Sequence, residues 1–429
     1  MASAVHQEAP GESPSPAGCP ADRGPGDHYG YQPFDLTSPF ASYARLRAQA
    51  PVYFDERTGY WVVSRHDDVK AIFEDWQSYS SENAQRPVRP LGPPAREVLR
   101  AGGFTAYSGL SARVPPEHTR IRKTVTRAFT PRRYRVLEPA IRENVASMLA
   151  AMVRTGPPGD LVADLAWDLP AITMLTLLGV GAERIPEVKE WARSRSLVTW
   201  GDLTDEEQVP HARNLVDYWK FCTSLVAGRH ARPGDDLVSD LVRFQDDGTE
   251  ITDHEIASFC WSMLFAGHET TTTLISNTLR ELLAHPEQWA KLVASRPLIP
   301  HAVDEILRFS PTIVAWRRKA LRTTEVNGVR IPDGAEILLL MGAANRDDSV
   351  FEDPERFDIE RADARNHLSF GFGIHYCLGS QLAKQQVRVV LEEVTAALPS
   401  LRLAPDAEIR FGSSISFRAP AAVPVEWDR

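Results

Sequence analysis

The residues best placed to do chemistry lie in the stretch FGFGIHYCLG, Phe370 to Gly379. Cys377 follows His375 by two positions and stands at or just before the start of a long helical pattern from Leu378. A helix N-terminus turns unsatisfied N–H groups and partial positive charge toward whatever precedes it, which favours a thiolate over a thiol. Such a thiolate is a nucleophile or a metal ligand; a buried, inert cysteine is the alternative that this residue alone leaves open. Gly371, Gly373 and Gly379 permit left-handed backbone and close approach of a flat group, with Phe370 as an aromatic lid. A dinucleotide fingerprint is not met, because Tyr376 stands where the third glycine is required.

Three other stretches carry reactive types at helical spacing. AGHETTTT, Ala266 to Thr273, places a glycine and a run of β-branched threonines inside an apolar helix, where both are poor formers. A threonine hydroxyl there can bond the carbonyl one turn back, loosening the helix and leaving a polar notch. EILR sets Glu305 and Arg308 on one helical face, and PPEHTRIRK does the same for His118 and Arg122. Taken singly, each reads equally well as an ordinary surface pair.

The elements that must hold these residues are mostly helical. Amphipathic periodicity predicts helices over Tyr134–Val153, Asp253–Leu283 and Leu378–Leu398, the second opened by Thr252 and Glu255 at capping-box spacing. Strand signals are few: a hairpin in Pro51–Val63, a β region over Glu325–Leu340 punctuated by Asn327-Gly328 and Asp333-Gly334, and an alternating segment from Arg410 to Trp427. Two stretches, Ser80–Arg113 and Trp200–Pro210, read as long irregular loops of the kind that act as lids. The fold expected is mainly α with a small β-rich lobe.

Composition narrows the class. A chain of 429 residues with 43% hydrophobic and 9% aromatic residues fits a globular enzyme with a large core. The net charge of -9 argues against a nucleic-acid binder. Cys19, Cys222, Cys260 and Cys377 are scattered without CxxC spacing, which suits a reducing cytoplasm better than a disulfide framework. Residues 1–30, rich in Pro, Gly and Ser, read as a disordered tail without a signal sequence. No apolar run reaches the roughly 20 residues that span a bilayer.

The complete pattern F-G-x-G-x-H-x-C-x-G resembles that of the cytochrome P450 family of haem-thiolate monooxygenases, and the other three stretches follow in the family's order. The resemblance covers about Tyr31 to the end, and implies one integrated domain over residues 31–429. It makes Cys377 the axial ligand of the iron of haem b, with Phe370, Gly371 and Gly379 framing the ring. It makes His118, Arg122, Arg318 and His375 the partners of the propionates, although neighbouring Arg317 leaves the register open. Thr270 and Glu269 become the catalytic pair that steadies activated oxygen and feeds it protons. Glu305 and Arg308 become a scaffold pair, with Arg356 as the third member.

The same resemblance implies O2 as oxidant and electrons from NAD(P)H through external proteins. The basic run Arg120, Arg122, Lys123, Arg127, Arg132, Arg133 and Arg135 suggests docking of an acidic ferredoxin served by its reductase. No nucleic acid or membrane partner is expected, and the chain is read as a cytoplasmic monomer. Substrate contacts are expected from Met263, Ala266, Ile313 to Trp316 and Ser414 to Phe417, with Ile313, Val314, Ile415 and Ser416 singled out, together with the two long loops, and carry no concentrated charge partner. These imply a medium-sized organic molecule, such as an intermediate of bacterial secondary metabolism. Oxidative radical coupling of aromatic substrates such as cyclic dipeptides is the alternative, followed by a peroxide-driven enzyme or a haem sensor.

Overall fold

The computed structural model describes residues 29–106 and 109–428. Apart from Tyr29 and Gly30, the tail expected over residues 1–30 lies outside the described residues.

The fold is organised around the helix Asp253–Ala284, whose 32 residues make it about 48 Å long. Its start follows the expected capping box: Thr252 Oγ1 accepts from the Glu255 N–H at 3.2 Å, and Glu255 Oε2 accepts from the Thr252 N–H at 2.9 Å. Ile256, Phe259, Leu264, Ile275 and Leu279 are buried around its whole circumference, as befits a helix inside other helices. The helices Leu169–Leu177, Ile185–Trp200, Asp205–Ala231 and Ser380–Ala397 pack against it. The helix runs unbroken through Gly267 and the threonines, so the expected loosening does not interrupt it. Gly267 serves packing, since a Cβ there would meet Met174 Sδ at 2.3 Å.

A five-stranded sheet stands to one side, in the spatial order Val52–Asp55, Tyr60–Val63, Glu336–Leu339, Trp316–Ala320, Tyr79–Ser80. Only the pairing of Tyr60–Val63 with Glu336–Leu339 is parallel. The Asn327-Gly328 turn joins a separate two-stranded ribbon, both residues having positive φ, 47° and 75°, as its tight hairpin requires.

Three expectations need correction. Ser80–Arg113 contains the helix Pro93–Ala101, because prolines that disfavour a helix interior are welcome in its first turn. Trp200–Pro210 is not a loop: one helix ends at Trp200, another begins at Asp205 after a Thr204–Glu207 capping box, and Pro210 lies inside the second. From Arg410 to Trp427 the only strand is Pro424–Glu426; isolated bridges tie Phe411 to Pro420 and Ile313 to Phe417. Among the described residues, no helix is long and apolar enough to cross a membrane.

Candidate functional site

A cavity of about 250 Å³ opens between the middle of the long helix and the glycine-rich stretch. Met263, Ala266, Gly267 and Thr270 form one wall, and Phe370, Gly371, Cys377 and Gly379 contribute another. Thr270 Oγ1 donates to the Ala266 carbonyl one turn back, the local bond anticipated for a threonine in this place. Its own carbonyl accepts from Thr312 Oγ1 at 3.3 Å.

The Cys377 loop is held by backbone. The Cys377 N–H donates to the Phe370 carbonyl at 2.9 Å, while Gly371 and Gly373 both sit at φ +68°. At Gly373 a Cβ would also lie 2.8 Å from the Phe73 carbonyl oxygen, so the loop rests directly on another segment's main chain. The helix after it starts at Ser380, three residues beyond the sulfur. Backbone N–H groups of Gly379 and Ser380 and the Arg122 charge favour the thiolate, but burial outweighs them and pushes the Cys377 thiol up. The helix terminus by itself therefore does not ionise the sulfur; a bound cation would have to complete that task.

At the cavity's rim four basic side chains converge. Arg122, Arg318 and His375 line the cavity, and the His118 and His375 rings lie 4.3 Å apart. Burial, reinforced by the neighbouring positive charges, drives His375 down to about 2 and His118 to about 4; burial alone lowers Arg318 to about 9. Both ring nitrogens of His118, Nδ1 of His375 and Nη2 of Arg318 are buried without hydrogen-bond partners among the described residues. Buried polar atoms orphaned in this way, the Arg318 guanidinium and an imidazole N–H among them, fit a ligand that brings carboxylates. Gly379 adds the matching space, since a Cβ there would meet nothing within 4 Å. A macrocycle with two carboxylates and a thiolate-binding metal fits this donor set. Of the neighbouring pair, Arg318 faces the cavity, whereas Arg317 turns to the Ala84 carbonyl at 3.0 Å.

Glu305 and Arg308, both with 0% exposed side chains, form the scaffold beneath. Arg308 donates to Glu305 Oε1 and Oε2 at 2.8 and 2.7 Å and to the carbonyls of Asn345, Pro354 and Arg356. Arg356 contributes only that carbonyl; its guanidinium is exposed and pairs with Asp358. The third side chain is Arg361, whose Nε reaches Glu305 Oε1 at 3.3 Å. The two arginines lie five residues apart in one irregular segment, where no periodicity shows which of them turns inward. Asn345 extends the brace, its Oδ1 accepting from the Leu368 N–H at 2.7 Å just before the Cys377 stretch.

Of the expected substrate contacts, Met263, Ala266 and Ile313 line the cavity. Val314, Ile415 and Ser416 are buried behind it, the Val314 N–H donating to the Ser416 carbonyl at 2.8 Å; Trp316 and Phe417 face the cavity instead. Glu269 is not in the wall. Burial raises its carboxyl to about 7, partly offset by Arg193. Sequence reasoning missed Arg195, a charged side chain that lines the cavity at 2% exposure. Its signal is a position on the apolar stripe of its helix, four residues after Trp191 and three before Val198, all buried.

Comparison with known proteins agrees with this geometry. A profile described as Cytochrome P450 matches residues 225–395. The chain is 36% identical over 391 residues to nocardicin C N-oxygenase of Nocardia uniformis subsp. tsuyamanensis, covering 90% of this chain and 94% of that one. It is 34% identical over 380 residues to mycinamicin IV hydroxylase/epoxidase of Micromonospora griseorubida, with 88% and 91% covered. Among solved structures, cytochrome P450 CREJ in complex with (4-ethylphenyl) dihydrogen phosphate superposes with a TM-score of 0.92 at 58% identity, over 94% of this chain and 100% of that one.

Replacing Glu305 by Gln leaves the Arg308 charge buried and poorly compensated, and is expected to cost about 3–5 kcal/mol of stability. The shift of the denaturant midpoint at constant slope measures it; an unchanged midpoint would show that the pair braces nothing.

Proposed function

The chain belongs to the cytochrome P450 family and is a haem monooxygenase; from that premise we propose that its substrate is a compact alkyl-substituted aryl phosphate, oxidised on the alkyl group. The carrying observation is the CREJ complex: a chain 58% identical to this one holds (4-ethylphenyl) dihydrogen phosphate. The cavity's aromatic walls, Phe259, Phe265, Trp316 and Phe417, suit a flat ring of that size. That higher identity sets this class ahead of the larger secondary metabolites acted on by more distant relatives, and ahead of the coupling of cyclic dipeptides.

In this reading Cys377 would ligate the haem iron, while His118, Arg122, Arg318 and His375 would take its propionates. The bound haem supplies a thiolate-ligated iron at which O2 is activated and one oxygen atom passes to substrate. The chain's own part is positional and protonic. Thr270 offers a hydroxyl that can leave the Ala266 carbonyl and turn into the cavity. Glu269, half-buried and with its carboxyl raised to about 7, can both give and take a proton near neutral pH. Electrons arrive from a redox partner, which we read as an acidic ferredoxin. Of the basic run, Arg120 pairs with Glu255 and Arg133 with Asp240, whereas Lys123, Arg132 and Arg135 stay exposed for docking.

Three measurements follow. Titrating the haem-loaded enzyme with 4-ethylphenyl phosphate should give a substrate-type spin-state shift, and turnover under labelled O2 should place one labelled atom on the ethyl group; unlabelled product, or none, would refute the substrate class. Because burial disfavours the carboxylate, Glu269 stays protonated below pH 7 and loses its proton above. Product formed per electron should therefore fall as pH rises through about 7, Glu269→Gln should flatten that step, and Thr270→Ala should divert reducing equivalents to peroxide. A wild-type profile without the step would remove Glu269 from the relay. Arg132→Glu should slow reduction by an acidic ferredoxin at low ionic strength, where unscreened charges steer encounter; an unaltered rate at every salt concentration would move the docking face elsewhere.

A further inference from the structure

Arg195 is anomalous electrostatically. It is 2% exposed, and no carboxylate reaches it among the described residues. Its Nη1 donates to the Trp261 carbonyl at 2.8 Å and its Nη2 to Gln85 Oε1 at 2.9 Å, while Nε has no acceptor. The guanidinium lies 3.5 Å from the Trp261 ring centroid and 4.7 Å from that of Phe265, so its planar fork is held by aromatic faces rather than by an anion. Isolated buried charges are expensive, and a guanidinium matched to a phosphate by paired N–H groups is among the strongest remedies.

The polar groups next to it are also incomplete. Gln85 Nε2 donates to Ser111 Oγ at 2.8 Å, and Ser111 in turn lines the cavity. Ser262, one residue beyond Trp261 and also in the cavity wall, buries an Oγ without a partner among the described residues. A second buried cation, Arg317, lies behind, bonded to the Ala84 carbonyl next to Gln85 and to the Thr199 carbonyl one turn after Arg195. It too has only neutral partners among the described residues. This end of the cavity is distinct from the rim formed by Arg122, Arg318 and the two histidines His118 and His375. Trp261 precedes Thr270 by nine residues on the long helix, or roughly 13 Å along its axis.

We propose that Arg195, with Gln85, Ser111 and Ser262, forms an anion subsite that receives the phosphate of the substrate and thereby selects phosphorylated over free phenols. An aryl phosphate carries close to two negative charges near neutral pH and several acceptor oxygens, matching a guanidinium beside two hydroxyls and an amide. With the phosphate anchored at the level of Trp261, the ring lies along the aromatic walls and its far substituent points toward Thr270. The subsite rests on the substrate class proposed above, but assigns residues to it and supplies the selection rule.

Spectral and calorimetric titration of the haem-loaded enzyme tests this with four probes: 4-ethylphenyl phosphate, 4-ethylphenyl sulfate, 4-ethylbenzoate and neutral 4-ethylphenol. Wild type should bind the phosphate far more tightly than the phenol. Arg195→Met should lower that phosphate-to-phenol affinity ratio by about 100-fold, as loss of one partner of a buried charge pair does. Arg195→Lys should recover part of it, and Gln85→Leu, a milder change to a neutral neighbour, should lower it by about 10-fold. A merely structural arginine would weaken all four probes alike, so an unchanged ratio in Arg195→Met and Gln85→Leu overturns the subsite. A wild type that binds no anion better than the phenol overturns it as well. A wild type preferring the sulfate or the carboxylate, with that preference lost in Arg195→Met, supports the subsite while refuting the phosphate class.

Discussion

Everything around Cys377 depends on a charge pair that never meets water. Glu305 and Arg308 neutralise each other at the base of the cavity, but the pair does more than cancel charge. The remaining donors of Arg308 end on carbonyls of Asn345, Pro354 and Arg356, and Glu305 also accepts from the Asp358 N–H at 3.0 Å. These are loop groups without strand or helix partners, and burying them unpaired would be costly. One helical turn thus supplies the hydrogen bonds that an irregular segment cannot supply for itself. Asn345 hands the constraint on to Leu368, so that the glycine-rich stretch, free in its own torsions, is fixed at its entry.

The cavity shows the opposite electrostatic policy. Its apolar walls are bordered by cations that have no carboxylate partner among the described residues, at the rim Arg122 and Arg318 and at the far end Arg195. A folded chain tolerates such groups only at some expense of stability. Elsewhere most arginines pair with acids, as Arg142 does with Glu392 and Glu393. Buried Arg317 and Arg418 also rest on neutral acceptors among the described residues, so an unpaired cation points to an external anion only where, like Arg195, it faces the cavity.

How much of this was readable in the chain follows from whether a residue's role is local. The capping box at Thr252, the hairpin before Val63, the tight turn at Asn327-Gly328 and the cysteine pattern are written within a few positions, and all were legible. Fold class and family were legible too, because spaced motifs compound. What failed was non-local. Arg356 and Arg361 look alike in sequence, and only the path of the intervening turn decides which guanidinium reaches Glu305. Trp200–Pro210 was read as an irregular loop, whereas a capping box at Thr204 opens a helix that carries Pro210 within it. Val314 and Trp316 occupy one segment, yet tertiary packing buries one behind the wall and turns the other into the cavity. Arg195 is set by non-local partners, the Trp261 carbonyl and Gln85, which lie 66 and 110 residues away in the chain.

The strand Trp316–Ala320 carries the two basic ends of the site on consecutive residues. Side chains alternate along a strand, so Arg317 faces the segment holding Gln85 and Arg195 while Arg318 faces the His375 rim. Register fixes that division: Arg318 stands opposite Ile337 and Arg317 opposite Leu338 in the neighbouring strand. Deleting or inserting a single residue ahead of this pair would turn each guanidinium to the opposite face of the strand, with Lys319 or Trp316 filling one of the two places. Side-chain identity along this strand can drift at its outer positions; its residue count cannot. In evolutionary terms it should accept substitutions far more readily than indels.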